Sequence, residues 1–332
     1  MKAAVIGAGA WGTALSTVLC KNGHDTTLWC HREQRAEEIR NSHINPRLPG
    51  IELPQALKIT ADPRCVEGCR LVVIASPSSP IRSVCRSVAP YLEEDAVMVS
   101  VTKGIEPDTL LRMSQVVEEE CRRPVVALSG PCHAEEVAVQ SPTGCLAASQ
   151  NRALAELVQD AFINENFRVY TSPDAVGAEL GGALKNVIAL CAGVLDGLNC
   201  GDNCKAMLMT RGLTEIARLG VSMGAQKETL AGLSGVGDLI VTCTSMHSRN
   251  RRAGILIGQG KTAKEAMEQV GAVVEGYYAA KSAYDLGKKQ GIDMPIVNAA
   301  YQVLYEDADV KQIIQDLLLR QRKPESEDAG WN

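Results

Sequence analysis

Ala3-Ala4-Val5-Ile6-Gly7-Ala8-Gly9-Ala10-Trp11-Gly12 joins a short apolar run to a glycine-rich loop, and a helix-compatible stretch, 13–22, follows it. This order predicts the strand, turn and helix that bind a dinucleotide, although glycine triplets also occur in plain turns. We expect Gly7 to make the tight turn, Gly9 to let the backbone approach a pyrophosphate, and Gly12 to let helix and strand pack closely. The diphosphate would lie on free N–H groups at the positive end of the helix. The predicted cofactor-binding residues of this loop are Gly7, Gly9, Ala10 and Gly12.

The composition of the 332-residue chain is that of an ordinary globular protein, with 45% hydrophobic residues and a formal net charge of −5. Because no basic footprint is present, nucleic acid is not expected as a partner. The length allows two domains, each with its own core. We see no signal peptide ahead of the first strand and no apolar run of the length of a membrane span. A cytoplasmic location without membrane insertion is therefore expected.

Twelve cysteines are spread through strand-like and helix-like segments. This distribution is typical of reduced, largely buried thiols in a cytosolic protein rather than of a disulfide scaffold. The pairs Cys65/Cys69 and Cys200/Cys204 have helical spacing, yet neither forms a C-x-x-C pattern or has a paired histidine nearby. We therefore predict no metal site.

Strands and helices alternate in the first half of the chain. Continuous apolar runs indicate strands that are buried on both faces of a parallel sheet, and they lie at 71–75, 96–101, 125–128 and, shorter, 145–148. From Asp174 onward the pattern becomes helical. The sequence predicts an N-terminal Rossmann-type, doubly wound α/β domain over 1–172 and an all-α C-terminal domain over 173–332, of which 322–332 form a frayed tail.

The end of the second predicted strand bears on the choice of cofactor. In this fold an acidic residue about 20 residues beyond the loop binds the adenosine ribose. Here the sequence reads Trp29-Cys30-His31-Arg32, and the first acid is Glu33. Arg32, with His31 beside it, could hold a 2′-phosphate, which favours NADP(H) with NAD(H) tolerated. The alternative is that Arg32 begins the next helix as a solvated charge.

Lys185 stands in segment 183–195, which is apolar nearly all round and should form a buried helix. A lysine there must reach water, find a partner or face a cavity. Desolvation would lower its pKa and make it a candidate proton donor or acceptor near neutral pH. The alternative is a structural lysine whose ammonium reaches solvent.

Two further segments follow predicted buried strands at the edge of the sheet where ligands bind. Lys103 comes after the strand at 96–101, and its alternative is a solvated loop lysine. Ser129-Gly130-Pro131 follows the next strand and can present backbone N–H groups to a substrate.

A third cluster contains Asp238 and the basic run 248–252. Ser248 is a reasonable N-cap for a helix that begins with Arg249 and Asn250. A helix N-terminus with arginine and asparagine donors can bind a phosphate, whereas a solvated basic turn is the alternative. Asp238 lies in a glycine-flanked turn, where it could orient Lys185, bind a substrate hydroxyl or simply stabilise the turn.

Several blocks follow one another along essentially the whole chain to about residue 305. They are 7–12, 101–106, 129–131, 182–187, 201–203 with 211–213, 237–239, 248–252 and 274–276. Together they resemble the bacterial NAD(P)-dependent sn-glycerol-3-phosphate dehydrogenases. The Lys185-Asn186 block and the basic run 248–252 are specific to that family, whereas the glycine loop is not.

The resemblance implies the reversible reduction of dihydroxyacetone phosphate to sn-glycerol 3-phosphate, a glycerophospholipid precursor, by a homodimer. It implies that Lys185 is the general acid/base and that Lys103 and Asp238 assist catalysis. The implied substrate contacts are Lys103, Gly130, Cys132, Lys185, Asp238, Ser248, Arg249 and Asn250. The implied cofactor contacts beyond the loop glycines are Trp11, His31, Arg32, Lys103, Ala134, Arg249, Val273 and Glu275. Cys132 departs from the family, which usually carries serine or threonine there, and a thiol is a weaker donor than a hydroxyl.

Two other functions remain open at this point. A dehydrogenase of the 3-hydroxyacyl-CoA or 6-phosphogluconate type shares the architecture, but the basic run 248–252 argues for a small phosphate ester. A non-catalytic dinucleotide-sensing regulator would keep the glycine loop, but Lys103 and Lys185 together count against it.

Overall fold

The computed structural model describes residues 1–322, 324 and 325. Eight strands of this part of the chain form one sheet: β1 Lys2–Ile6, β2 Asp25–Trp29, β3 Lys58–Thr60, β4 Leu71–Ile74, β5 Val97–Ser100, β6 Val125–Ser129, β7 Thr143–Ala148 and β8 Phe167–Ser172. Their order is β3-β2-β1-β4-β5-β6-β7-β8. The first six strands run parallel in the Rossmann order, which confirms the predicted fold class. Except for residues 322, 324 and 325, the predicted frayed tail lies outside the described residues.

Helices cover the faces of the sheet and build the second half of the chain. Those up to β8 are α1 Ala10–Lys21, α2 Glu33–Ser42, α3 Ile81–Val88, α4 Met113–Cys121, α5 Ala134–Ala138 and α6 Arg152–Phe162. Those beyond it are α7 Ala175–Gly197, α8 Gly201–Ser222, α9 Lys227–Ala231, α10 Asp238–Thr244, α11 Arg249–Gly258, α12 Ala263–Val270, α13 Glu275–Gln290, α14 Pro295–Tyr305 and α15 Val310–Leu318. A π-helical turn, Leu233–Gly237, leads into α10.

The far edge of the sheet differs from the sequence prediction. β4 and β5 are buried along their whole length, as the apolar runs predicted. β7, however, pairs antiparallel with β6, and β8 then pairs parallel with β7. A short apolar run does not reveal strand direction, so the prediction that segment 145–148 belongs to a parallel sheet is wrong. β8 was not predicted because its buried and exposed residues alternate at the open edge.

α7 is the core helix of the second half. By length and composition α7 could cross a membrane, so the prediction that no apolar segment reaches that length is wrong. In the structure, however, 94% of its most apolar 18-residue stretch is buried inside the protein. α11 crosses it so closely that a Cβ on Gly193 would overlap the Arg251 carbonyl oxygen, and one on Gly254 would overlap that of Leu190. Gly193 and Gly254 therefore allow the close approach of α11 to α7.

The sheet and the helical half meet along several hydrogen bonds. β8 ends at Ser172 and α7 begins at Ala175, and the division of the chain at residue 172 stays a prediction. Glu179 of α7 accepts a hydrogen bond of 2.7 Å from the backbone N–H of Ser114 in α4, and it pairs with Arg112. Side chains that follow the sheet strands can therefore face side chains of α7 and α10.

Candidate active site

The glycine loop has the shape that a bound diphosphate requires. Gly7 has φ +126°, and a Cβ there would lie 2.5 Å from the carbonyl oxygen of Ala75. A Cβ on Gly12 would overlap the carbonyl oxygen of Gly7, whereas one on Gly9 would meet nothing within 4 Å. Gly9 also precedes α1, whose first N–H groups have no side-chain cap. The backbone at Gly9 is therefore open to an anionic ligand, while Gly7 and Gly12 keep the turn closed.

The end of β2 leaves a cation open to solvent. His31 and Arg32 are both exposed, and Arg32 immediately precedes α2. Within the described part of the chain, no hydrogen bond or ion pair engages the Arg32 guanidinium. Glu33, the first acid, is paired with Arg40 at 2.8 Å. A phosphate on the adenosine ribose could therefore reach Arg32 without displacing an internal partner.

Lys185 is buried, as the apolar pattern of α7 predicted, with 5% of its surface exposed. Its ammonium donates to Asp238 Oδ1 at 2.5 Å and to Thr242 Oγ1 at 2.5 Å. The Thr242 hydroxyl in turn donates to the backbone carbonyl of Asp238 at 2.6 Å. Sequence reasoning missed Thr242; its place one helical turn after Asp238 on α10 is the signal that could have found it.

Asp238 also holds the second predicted lysine. Lys103 Nζ donates to Asp238 Oδ2 at 2.6 Å and to the carbonyl oxygen of Gly130 at 3.0 Å. The Asp238 side chain is 1% exposed and that of Lys103 is 20% exposed. One buried carboxylate thus bridges Lys103, which follows β5, and Lys185 of α7.

The two ammonium groups differ in acidity. Burial lowers the pKa of Lys185 to about 8; the Lys103 charge also lowers it, whereas Asp238 opposes the shift. Burial also disfavours the charged form of Lys103, but Asp238 outweighs it, and the pKa of Lys103 lies above its ordinary value. Near neutral pH Lys185 can exchange a proton, while Lys103 remains a fixed cation.

The loop that follows β6 lies against Lys103. Gly130 has φ +148°, and a Cβ there would lie 3.0 Å from the Cys145 Cα. The Cys132 thiol donates to the Gly130 carbonyl at 3.0 Å and lies 3.9 Å from Lys103 Nζ. Ser129 Oγ is buried and has no hydrogen-bond partner in the part of the chain that the structure describes. Sequence reasoning singled out the backbone of this loop but not the Ser129 hydroxyl.

The basic run 248–252 divides into structural residues and two open arginines, Arg249 and Arg252. The Ser248 hydroxyl accepts a hydrogen bond of 3.2 Å from the Arg251 N–H, which confirms the predicted N-cap. Arg251 pairs with Asp196 of α7 at 2.7 Å. The Asn250 side chain accepts from the N–H of Gly276 at 2.8 Å and donates to Asn186 at 2.9 Å. Most of this run therefore holds α11 against its neighbours.

Arg249 and Arg252 are the two open members of the run. Arg249 is the one that begins α11. Its side chain is exposed, and no described residue forms a hydrogen bond or ion pair with its guanidinium. Partial burial of the guanidinium lowers the pKa of Arg249, and the charges of Glu275 and Glu135 oppose this shift. Arg249 is therefore a cation that no described residue engages directly, and it can bind an anion.

Glu275, at the start of α13, is engaged with the loop that follows β4. Its carboxylate accepts from the Ser78 N–H at 3.2 Å and from the Ser78 hydroxyl at 2.6 Å. Burial raises the pKa of Glu275 against these hydrogen bonds and the Arg249 charge. Val273, two residues earlier, is 38% exposed, and Ala134 is nearly buried at the start of α5. Ser78 was not among the predicted residues.

The structure joins five of the predicted site residues into one cluster beyond the carboxyl ends of β5 and β6. Lys185, Asp238, Lys103, Gly130 and Cys132 are linked by direct contacts. The structure gives His31 no contact with this cluster. In the described ranges, no group of three or more His, Cys, Asp or Glu side chains is placed to hold a metal ion.

Comparison with known proteins gives matches over both halves of the chain. The family model for the N-terminus of NAD-dependent glycerol-3-phosphate dehydrogenase matches residues 2–155. The model for the C-terminus of the same enzyme matches residues 174–315.

Individual relatives agree with these matches. A protein of Bacillus velezensis named glycerol-3-phosphate dehydrogenase [NAD(P)+] is 49% identical over 98% of this chain and 96% of its own. The crystal structure of glycerol-3-phosphate dehydrogenase from Coxiella burnetii has a TM-score of 0.92 at 37% identity, covering 96% of this chain and 99% of that one. A ketopantoate reductase from Ralstonia eutropha, at 17% identity and a TM-score of 0.62 over 96% of this chain and 100% of its own, shares the fold alone.

Proposed function

Because the chain belongs to the NAD-dependent glycerol-3-phosphate dehydrogenase family, we propose that it reduces dihydroxyacetone phosphate reversibly to sn-glycerol 3-phosphate with NADPH or NADH. The family resemblance drawn from the sequence motifs is thereby confirmed. The observation that carries the proposal is the buried carboxylate of Asp238, which holds the ammonium groups of Lys103 and Lys185 together. A regulator that only binds a dinucleotide does not require two lysine ammonium groups on one buried carboxylate.

The proposed chemistry needs one hydride and one proton. The glycine loop 7–12 would hold the nicotinamide cofactor, which would supply the hydride when bound. Lys185 donates a proton to the carbonyl oxygen and accepts it back in the reverse direction, for which a pKa of about 8 is suitable. Lys103 stabilises the negative charge that develops on that oxygen, and Asp238 keeps both ammonium groups in place.

We propose that Arg249 binds the substrate phosphate and also contacts the cofactor. Its guanidinium, like that of Arg252, has no internal hydrogen bond or ion pair among the described residues, and Arg249 is the one of the two at which α11 begins. Phosphate binding away from the carbonyl fixes the reacting carbon in place, so binding energy from a remote group contributes to the reaction. The backbone at Gly130 and Cys132, the hydroxyl of Ser248 and the remaining N–H of Asn250 are the proposed further contacts.

Replacing Arg249 with alanine should raise the KM for dihydroxyacetone phosphate by about 10–100-fold, since a charged hydrogen bond contributes about 1.5–3 kcal/mol. Steady-state kinetics would measure this, with Arg152→Ala as the control because Arg152 is an arginine of α6 whose side chain is 89% exposed. An unchanged KM in Arg249→Ala, or equal use of unphosphorylated dihydroxyacetone by the parent enzyme, would contradict the phosphate assignment.

The enzyme uses NADP(H) and NAD(H), and we propose that Arg32, with His31, recognises the 2′-phosphate. Arg32→Ala should lower kcat/KM for NADPH by about 10–100-fold and leave that for NADH nearly unchanged. Arg35→Ala is the matched control, since Arg35 lies in the first turn of α2, just after Arg32, but pairs with Glu38 at 2.9 Å. If Arg32→Ala lowered kcat/KM for NADPH and NADH equally, Arg32 would not recognise the 2′-phosphate.

We further propose that the enzyme works in the cytoplasm as a homodimer and supplies the backbone precursor of glycerophospholipids. The support is the resemblance to the family over the whole chain rather than any interface in the structure. Light scattering on the purified protein should give twice the mass of one chain, 35.5 kDa. A mass equal to one chain at assay concentrations would contradict the homodimer.

The function is tested by following NADPH oxidation when dihydroxyacetone phosphate is added to the purified protein. We expect oxidation with this substrate, and none with an acetoacetyl-CoA substrate; 6-phosphogluconate with NADP should give no reduction. The same assay with NADH compares the cofactors. Activity with one of the rival substrates would assign a different dehydrogenase, and no activity with any would favour the regulator.

A further inference from the structure

The order of the strands shows which loop faces each part of a dinucleotide. β2, β1, β4 and β5 are neighbours in the sheet in that order. The glycine loop after β1 would hold the diphosphate, and Arg32 after β2 lies on the adenosine side. The nicotinamide would therefore extend to the other side, over the loop 75–80 that follows β4 and toward Lys103, which follows β5.

Ser78 of this loop joins the sheet to the start of α13. Its N–H donates to Glu275 Oε1 at 3.2 Å, and its hydroxyl donates to Glu275 Oε2 at 2.6 Å. Ser78 is buried, and a Cβ on Gly104 would lie 2.6 Å from the Ser78 Cβ. Because Gly104 directly follows Lys103, Ser78 lies between the loop that carries this lysine and the carboxylate of Glu275.

The start of α13 is held from a second side by α11. The N–H of Gly276 donates to Asn250 Oδ1 at 2.8 Å, and Asn250 Nδ2 donates to Asn186 Oδ1 at 2.9 Å. Asn186 is the neighbour of Lys185 in α7. Two consecutive residues of α13 thus contact the loop after β4 and the helix that begins with the basic run. The Glu275 carboxylate is held between the sheet and the helical half.

The Glu275 carboxylate keeps acceptor sites for a ligand. An ionised carboxylate can accept about four hydrogen bonds. In the part of the chain that the structure describes, two donors reach it, and both belong to Ser78. The charge of Arg249 acts on it without a direct ion pair among these residues. Its remaining lone pairs can accept from an amide N–H or a hydroxyl, both of which a nicotinamide riboside carries.

We propose that Ser78 is a positioning residue, which holds the Glu275 carboxylate as a hydrogen-bond acceptor for the nicotinamide riboside of the cofactor. The hydroxyl of Ser78 also favours the ionised carboxylate. Burial raises the pKa of Glu275, and the hydroxyl, the Ser78 N–H and the Arg249 charge oppose this. The proposal rests on the proposed function in one respect, that the nicotinamide faces Lys103.

Few charges face Glu275. The loop 75–80 contains no titratable residue. α11 contributes Arg249, whose charge acts on Glu275. Glu135 of α5, Arg252 and Arg47 act in turn on Arg249. All of these groups remain when Ser78 is replaced, so a change in pH dependence reports on the serine hydroxyl.

The test measures the Kd of NAD+ by calorimetry from mildly acidic to mildly alkaline pH. NAD+ is used because the 2′-phosphate of NADP+ titrates at about pH 6. We compare the Kd of Ser78→Ala with that of the parent enzyme as a ratio, which cancels groups that titrate alike in both. Without the hydroxyl the pKa of Glu275 rises further, so the ratio should increase about 10-fold as the pH falls. A purely structural role would give the same ratio at every pH.

Three further variants show whether Ser78 acts through Glu275. In a Glu275→Gln background no carboxyl titrates at this position, so adding Ser78→Ala should give a ratio that does not change with pH. Ser79→Ala is the matched control, since Ser79 is the next residue and is exposed; its ratio should stay near one. Ser78→Cys keeps the size but donates more weakly, so it should give a smaller increase, and it provides the test if Ser78→Ala does not fold.

Three results would overturn the proposal. They are a ratio for Ser78→Ala that is independent of pH, an increase that persists in the Glu275→Gln background, and the same increase in Ser79→Ala. NAD+ binding is measured without substrate. Failure of the proposed function would therefore show as absent reduction of dihydroxyacetone phosphate, with these binding results unchanged.

Discussion

Lys185→Ala is expected to reduce the turnover of dihydroxyacetone phosphate by about 10²–10⁴-fold, the usual contribution of a general acid. The variant loses the ammonium group that donates to Asp238 and Thr242, and no described side chain on α7 can replace it as a donor at that place. The KM should change much less than kcat, since the proton matters in the transition state. NADPH affinity should be nearly unchanged, because the glycine loop does not contact Lys185 in the structure.

The measurement is steady-state kinetics for the phosphorylated ketone, combined with a fluorescence titration of NADPH. Lys264→Ala is the matched control, since Lys264 is exposed on α12 and should lose nothing. Turnover of Lys185→Ala equal to that of Lys264→Ala would remove Lys185 from the mechanism. A variant that no longer binds NADPH would indicate a folding defect, which the thermal unfolding curve would reveal.

Asp238→Asn is expected to lower turnover by about 10²–10³-fold, comparable to the loss of a stabilising group at a developing charge. The carboxylate is 1% exposed and bridges both lysines. Without it, burial and the Lys103 charge, both of which lower the pKa of Lys185, would no longer be opposed by Asp238. Lys185 would then lose its proton at lower pH, and the reduction rate would decline at lower pH than in the parent enzyme.

The same substitution should lower the free energy of unfolding by about 3–5 kcal/mol, because it leaves buried charge without its partner. Denaturant unfolding measures this, and Asp160→Asn on the exposed side of α6 serves as the control. The Asp238 assignment would fail if the pH profile of Asp238→Asn overlaid that of the parent enzyme while the stability fell. In that case Asp238 would only be a structural partner.

The predictions that succeeded rest on patterns within short stretches of sequence. The glycine loop needs only ten consecutive residues to be recognised, and the steric contacts of Gly7 and Gly12 agree with the roles expected of them. Lys185 stands out because the apolar period of α7 predicts burial whatever its neighbours are. The Ser248 cap is likewise local, and it is present.

Contacts between distant segments could not be predicted from such patterns. Asp238 and Lys103 are 135 positions apart, and their pairing depends on how α10 lies against the sheet. Strand direction at β7 depends on the same long-range packing. The prediction that no apolar run reaches the length of a membrane span failed at α7. A helix buried among other helices and a helix that crosses a bilayer require similar compositions.

The most direct test of the central claim, that Lys185 exchanges the proton, is the pH dependence of hydride transfer measured in both directions. The rate of dihydroxyacetone phosphate reduction should decline as the pH rises through about 8, because the protonated lysine is the donor. The rate of sn-glycerol 3-phosphate oxidation should rise over the same range, because the neutral lysine must accept the proton. Rates that change in the same direction for both reactions, or limbs that persist in Lys185→Ala, would contradict it.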